Sequence, residues 1–469
     1  MIATASASCG SSPDSTSILA DAALVAGADG AMDGGGGDGG DGDDGGAGGV
    51  PLGVRITPGE VMVPPLVYET APIVVTAAAF GGHGLTAADP IVISGRNVRV
   101  EEENTAAVWL QQPGLTVTIE NCVLVGRGRS IISAAGAFVG ATYVDGGGAR
   151  LIVRNNRIYG LDPLTDGHAR SRFLSAGSPV SLIIEHNYAE HVSGIYVPDP
   201  HPGEPFHIRY NKVKDLESRM LNKVPISSGN GGEHGEGHFV ALSGTGVGVP
   251  DVEIAWNEMV AFPDESASGD HVNLYNMRGT PGSPVEVHHN LVVGGYPYPA
   301  SVDDLGCIGR NADGAYQTYT GSGMTTDGPA DPTDPDVVTA YINFHHNRIV
   351  NTCTGGINLV VGHHTRAFEN RVVHSGALAN AARTPAFDFG VGGPPRNPQG
   401  VTNNNEFDHN TYWFPKAGWH DDYAGIPGFH DNIDRAAELG RGPTGLDELA
   451  EYDDFLKEAQ TAGFVIGLE

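Results

Sequence analysis

Val285-Glu-Val287-His-His-Asn290-Leu-Val292 returns further along the chain as Ile342-Asn-Phe344-His-His-Asn347-Arg-Ile349. The phrase is an apolar residue, any residue, an apolar residue, two polar or aromatic residues, Asn, any residue, and an apolar residue. It also appears as Leu151-Ile-Val153-Arg-Asn-Asn156-Arg-Ile158, Leu182-Ile-Ile184-Glu-His-Asn187, Phe206-His-Ile208-Arg-Tyr-Asn211-Lys-Val213 and Val252-Glu-Ile254-Ala-Trp-Asn257-Glu-Met259. Degenerate copies centre on Asn370 and Asn410, and every copy keeps an apolar residue three before the Asn. Period-two alternation calls for strands. The Asn stands where the chain must turn, and Asn tolerates the left-handed conformation a sharp bend requires. One unit cannot bury its apolar face alone. Stacked at about 4.8 Å per layer, such units align their amides into a hydrogen-bonded ladder and their apolar residues into a continuous core. The Asn positions are 31, 24, 46, 33, 57, 23 and 40 residues apart. Steps of 23 and 24 predict one coil each, 46 predicts two, and the rest predict one coil plus inserted loops.

On these residues the stretch from about Ile91 to Trp413 resembles the right-handed parallel β-helix family, the architecture of pectate lyases. The resemblance implies an all-β fold: a right-handed parallel β-helix solenoid of about ten coils with a short C-terminal helix. It leaves function open, because the same scaffold carries lyases, hydrolases, epimerases, tailspikes and adhesins. The expected organisation is a Gly/Asp-rich tail over 1–50, an N-terminal cap over 51–90, the solenoid over 91–419, and a C-terminal cap with a helix over 420–469. Thr444-Gly-Leu-Asp447 reads as a capping box. Leu446, Leu449, Leu456 and Ala459 follow at helical spacing, on a helix expected to plug the coil stack.

Composition narrows the function classes. The chain of 469 residues has 68 Gly and is 40% hydrophobic, too apolar for a disordered protein. Its formal charge of -30 sets aside nucleic acid and anionic lipid surfaces, which need clustered Lys and Arg. No run of 18 apolar residues is present, so no membrane span is expected. Residues 1–50 carry -8 and residues 420–469 carry -9, leaving -13 on the body between. Cys9, in Ser-Ala-Ser-Cys-Gly-Ser-Ser-Pro, resembles the lipid-attachment site of bacterial lipoproteins. That implies lipidation and an extracellular or cell-surface location; the other reading is an ordinary tail with one thiol. Cys307 and Cys353 are a candidate pair that sequence leaves undecided.

A second strand follows the Asn turn in many coils: Ile195-Tyr-Val197, Val240-Ala-Leu242, Val272-Asn-Leu274, Ile357-Asn-Leu359 and Phe387-Asp-Phe389. Alternation puts Tyr196, Ala241, Asn273, Asn358 and Asp388 outward in one row, with Tyr275 and Arg278 nearby as further substrate-binding candidates. Insertions around 214–237, 260–271 and 294–336 are expected to wall a groove along this row. The plainer reading is a solvated face whose Asn residues ladder. The densest titratable cluster is Glu233-His234-Gly-Glu236-Gly-His238, with Asp270 and His271 entering the adjacent coil. It suits acid/base work, a metal site, or a polar structural loop. His186, His289, His346 and His409 all precede a ladder Asn, where stacking at the turn explains them. The pairs His288-His289, His345-His346 and His363-His364 are not expected to chelate, since strand neighbours face opposite sides.

Tyr196-Val-Pro-Asp199-Pro-His201 resembles the Tyr-x-x-Asp-Pro-His motif of mannuronan C5-epimerases. The resemblance implies Tyr196 and His201 as the acid/base pair, with Asp199 orienting them. The galacturonan hydrolase pattern is incomplete: Asp303-Asp304 is followed by no Gly-His-Gly and no closing Arg-x-Lys. Resemblance to pectate lyases implies an Arg or Lys base and Ca²⁺ as electrophile; Arg310 and Arg278 are candidates for that base or ordinary salt-bridge partners, and Asp270, Asp303 and Asp304 are candidate metal ligands. The functional expectation is a secreted or surface-anchored carbohydrate-active protein, a lyase or C5-epimerase acting on an acidic polysaccharide by C5-proton abstraction. The alternative is a non-catalytic β-helix that binds glycans or surfaces, like an adhesin or tailspike. A body at -13 repels a polyanion, so such an enzyme needs a local basic spot or bound Ca²⁺.

Overall fold

The computed structural model describes residues 67–469 except 103–104, 128–129, 136, 140–141, 145–146, 162–170, 218–236, 264, 267, 297–307, 311–315, 320–321, 330–333, 353–354, 377–388, 393–402 and 416–427. Each coil gives one strand to each of three parallel sheets. The first sheet has ten strands, from Ile73–Val75 to Phe389–Gly392. The second has eleven, from Ile91–Ser94 to Phe429–His430, and the third has eleven, from Asn97–Val100 to Ile433–Asp434. The chain is a parallel β-helix. Inward positions of all three sheets, such as Leu174, Ile195 and Leu242 of the first, Ile184, Ile208 and Val287 of the second, and Ile158, Val213 and Val292 of the third, form one continuous buried core.

The Asn ladder holds the coils in register. The Asn187 Oδ1 accepts from the Asn156 N–H and from its side-chain amide, each at 3.0 Å. The Asn187 amide in turn donates to the Asn211 Oδ1 at 2.9 Å and back to the Val153 carbonyl at 2.9 Å. The pattern repeats through Asn257, Asn290, Asn347, Asn370 and Asn410 to Asn432. At the N-terminal end Cys122 takes the ladder place, its N–H donating to the Asn156 Oδ1 at 3.0 Å. Asn211 bonds Asn257 directly, so the step of 46 residues is one coil with a long connection, not two coils. The insertion at 294–336 likewise contains a coil strand of the first sheet, Ser322–Asp327.

One expectation about the turn is corrected. The left-handed residue is not the ladder Asn but its predecessor. Asn155, His186, Tyr210, Trp256, His289, His346, Glu369 and His409 have φ between 50° and 59°. This frees the Asn to point inward, fully buried, with its amide saturated. For a bulky side chain the left-handed conformation costs roughly 1–2 kcal/mol, and stacking offsets part of it. Trp256 lies on His289 at 4.4 Å between centroids, and His289 lies on His346 at 4.8 Å.

The C-terminal helix, Gly445–Ala462, starts on the expected box: the Asp447 carboxylate accepts from the Thr444 N–H at 2.7 Å and from its hydroxyl at 2.8 Å. It does not plug the end of the stack. It lies along the outer face of the third sheet, where Tyr452, Phe455 and Ala459 pack with Trp256, Leu291 and Val350. Leu446 of the expected stripe is exposed. Arg348 and Arg371 of the third sheet both bind Glu451, the latter at 2.8 Å from Nε. Beyond the helix the tail runs back over earlier coils, the Gly467 N–H donating to the Tyr210 carbonyl at 2.8 Å and the Glu469 N–H to the Asn155 Oδ1 at 3.1 Å. No helix among the described residues is long and apolar enough to cross a membrane.

Two predictions follow from this packing. Asn257→Ala orphans the Asn211 donors and the Ile208 carbonyl in the core; at about 1–3 kcal/mol per unpaired buried group, it is expected to lower stability by about 3 kcal/mol or more. Asn432→Ala, at the ladder's partly buried end, is expected to cost about 1 kcal/mol, and equal denaturation midpoints for the two would contradict the ladder's role. Burial raises the Glu448 carboxyl from 4.5 to about 7, so the stability it lends as a neutral acid is whole below about 4.5 and is lost as pH rises through about 7. Glu448→Gln, which keeps the acceptor for the Ser375 N–H, should raise Tm at pH 8 and leave it unchanged at pH 4.5.

Candidate active site

The outer face of the first sheet carries one continuous row. Register places Val74, Trp109, Ser133, Ser175, Tyr196, Ala241, Asn273, Thr325, Asn358 and Gly392 side by side, one from each strand. Pro198, Ser243, Tyr275 and Asp327 form a parallel row two residues along. Val74 is exposed and Tyr196 half-buried, while Asn273, Thr325 and Asn358 are 9%, 3% and 5% exposed. Asp388 lies outside the described residues, and its expected place beside Asn358 is filled by Gly392.

The middle of the row gathers the chemistry. The Arg172 guanidinium lies over the Tyr196 ring, 4.4 Å from its centroid. Burial holds this guanidinium below the usual arginine range, and among the described residues Arg172 forms no ion pair. Gly194, at φ 80°, brings the Tyr196 strand against the next coil: a Cβ there would meet the His238 carbonyl at 2.0 Å. His238 holds its Nδ1 at 2.7 Å from the Asp270 carbonyl, and the Asn273 amide donates to the Asp270 Oδ2 at 3.1 Å. Arg172, Tyr196, His238, Asp270 and Asn273 therefore occupy successive coils. From Tyr196 to Asn273 is two strand spacings, about 10 Å.

Other candidates are placed differently. His271 is fully buried, its Nδ1 3.4 Å from the Ser322 carbonyl, and burial lowers it to about 4. It is neutral near pH 7 and has no proton to spare as an imidazolium. His201 is exposed on the connection after the Tyr196 strand, its Nδ1 2.8 Å from the Pro202 carbonyl. Asp199 turns that connection with φ 51°, its N–H donating to the Ser243 carbonyl. Arg278 is held by the Pro335 carbonyl at 2.7 Å and faces Asp336 at 3.7 Å. Arg310 closes the short strand Ile308–Arg310, with its side chain outside the described residues. Glu233, His234, Glu236, Asp303, Asp304, Cys9, Cys307 and Cys353 also lie outside them.

Sequence reasoning missed Arg172 and Thr325. Arg172 heads an ordinary strand phrase, Arg-Phe-Leu-Ser-Ala, and only the neighbouring coil's Tyr196 gives it meaning. Thr325 lies in a stretch read as a loop.

Calcium was expected at Asp270, Asp303 and Asp304. Ca²⁺ takes six to eight oxygen ligands, and among the described residues no group of three ligand side chains forms around Asp270. A different trio, Glu190, His191 and Asp215, has ligand atoms within 4.8 Å of one another. There the Lys214 ammonium bridges Glu190 at 2.6 Å and Asp215 at 3.3 Å, so the chain supplies the positive charge itself.

No family model matches the sequence, and no curated protein matches it. Among solved structures, a mannuronic acid specific polysaccharide family 6 lyase from human gut microbiota is similar to this chain at 11% identity, with a TM-score of 0.32, over 80% of this chain and 89% of that one. At that distance no residue role transfers from one chain to the other.

Proposed function

We propose that the outer face of the first sheet binds an extended acidic polysaccharide, and that the protein acts on it as a lyase or C5-epimerase. The observation that carries this is Arg172, a cation with no carboxylate partner among the described residues, lying on Tyr196 midway along a continuous row that is mostly polar and aromatic. In a chain at -30 most described cations face a carboxylate, as Arg150 faces Glu204 and Arg366 faces Glu406. A uronate carboxylate is the partner Arg172 lacks. Strands about 4.8 Å apart repeat on the scale of one sugar ring, so a polymer laid across the strands advances about one sugar per coil.

The chemistry follows from that contact. Neutralising the uronate carboxylate acidifies the C5 proton. Tyr196 Oη takes that proton as its own proton passes to solvent. For elimination, the C5–H electron pair forms the C4–C5 double bond, the C4–O4 bond breaks, and O4 takes a proton from solvent. For epimerisation, a proton from solvent is delivered to C5 on the opposite face. Asn273, oriented by Asp270, hydrogen-bonds sugar hydroxyls beside this subsite. Such polymers lie outside cells, so the reading carries an extracellular location with it.

The test is a polyuronate panel, with added Ca²⁺ and with chelator, read by ultraviolet absorbance of unsaturated ends and by NMR at C5. Arg172→Ala should weaken polymer binding roughly 10–100-fold, the worth of one charge-assisted hydrogen bond. Tyr196→Phe should keep binding and lower turnover about 10²–10⁴-fold. Binding without turnover by wild-type protein would favour the non-catalytic glycan-binding reading, and no binding by any polyuronate would overturn both.

A further inference from the structure

The turn between the second and third sheets carries His288-His289 on one coil and His345-His346 on the next. Adjacent strand residues face opposite sides, which argued against chelation, but the second residue of each pair is not in a strand conformation. With φ of 50° at His289 and 54° at His346, each second ring swings back against the first. The two Nδ1 atoms are 2.9 Å apart in the first pair and 3.0 Å apart in the second. Coil stacking lays one pair on the other, His288 over His345 at 4.8 Å and His289 over His346 at 4.8 Å.

The opposite nitrogens carry an independent signal. His288 Nε2 is 3.2 Å from Glu253, His345 Nε2 is 3.3 Å from Glu286, and His346 Nε2 is 3.1 Å from Glu369. A carboxylate that holds the Nε2 proton leaves the lone pair on Nδ1, which is the arrangement found behind metal-bound histidines. The geometry points to a transition-metal site at these turns, with the Nδ1 pair of His345 and His346, the pair with a carboxylate behind both rings, as a two-nitrogen bite. Two divalent ions one coil apart, about 4.8 Å, repel each other, so the site takes one ion per chain.

The ligand set selects the ion. Imidazoles without thiolate, with carboxylates engaged behind the rings, suit Cu²⁺, Ni²⁺ or Zn²⁺ and not Ca²⁺ or Mg²⁺. At imidazole nitrogen the divalent affinity order puts Cu²⁺ ahead of Ni²⁺ and Zn²⁺. His363-His364 provides an internal comparison. Its Nδ1 atoms are 2.7 Å apart, but His363 Nε2 faces the Pro335 carbonyl and His364 Nε2 faces the Asn404 amide. Without carboxylates behind it, that pair is closed by its own hydrogen bond.

The test is calorimetric titration of the full chain with CuCl₂, NiCl₂, ZnCl₂ and CaCl₂, with electron paramagnetic resonance reporting nitrogen ligation of Cu²⁺. Wild type should bind one Cu²⁺, more tightly than Zn²⁺, and no Ca²⁺ at these turns. His289→Asn with His346→Asn should lower Cu²⁺ affinity at least 100-fold. Asn is the replacement because Asn155 holds the same left-handed place at φ 54°. Glu286→Gln with Glu369→Gln should weaken binding 10–100-fold, which gives a second reading if the histidine variant loses its fold. His364→Asn should change nothing. Equal Cu²⁺ affinity in wild type and the histidine double variant, an equal loss in His364→Asn, or no Cu²⁺ binding by wild type would each overturn the site.

Discussion

Each ladder asparagine from Asn187 to Asn410 has four hydrogen-bonding capacities in its side chain, and the ladder uses all of them. Asn290 shows the full set. Its Oδ1 accepts from the Asn257 N–H and amide, and its own amide donates to the Ile254 carbonyl and to Asn347. An amide in an apolar core is tolerated only under that condition. No coil can shift relative to its neighbour without orphaning several polar groups at once. The three sheets therefore keep their register over the whole stack, and insertions are confined to the connections.

The ladder also dictates the residue before it. Turning the Asn inward requires its predecessor to be left-handed, and the strain is spread over a column of stacked side chains. His186, Tyr210, Trp256, His289 and His346 belong to that column, and the C-terminal tail seals part of it through Phe464. A left-handed histidine after a strand histidine brings two rings together that a strand would separate. The convergent Nδ1 pairs are thus a by-product of the backbone constraint. The carboxylates of Glu253 and Glu286 behind them are not, since both lie in strands away from the turn and the ladder makes no demand on them.

What was legible in the sequence follows the same division. The phrase ending in Asn exposes the second and third sheets, because burial on one face enforces period two and the ladder enforces the amide. Asn432 escaped notice because Phe429-His-Asp-Asn432 has lost half the phrase. First-sheet strands are short and unmarked, so Ser322–Asp327 was lost in a Gly-rich insertion, and Gly392 took the place assigned to Asp388. The chemistry was less legible still. Arg172 and Tyr196 are 24 positions apart, and their contact exists only through coil stacking. Helix placement failed for a similar reason: the apolar stripe suggested a plug, whereas Leu449, Leu456 and Ala459 pack with Tyr452 and Phe455 on the outer face of the third sheet, where Glu451 meets Arg348 and Arg371.

A net charge of -30 opposes the acidic ligand proposed above, and distance limits that opposition. At physiological ionic strength exposed charges are screened over about 8 Å, less than two strand spacings. A polyanion on the first sheet senses the groups within that radius and little of the second sheet's face, where Arg154, Arg209 and Arg366 already offset Glu120, Glu253 and Glu406. The field at the row is set locally by Arg172, Tyr196, Asn273 and the buried Asp270, whose oxygen is engaged by the Asn273 amide. One half-buried arginine in that neighbourhood outweighs a distant surplus of carboxylates, because its partner is desolvated and theirs are not.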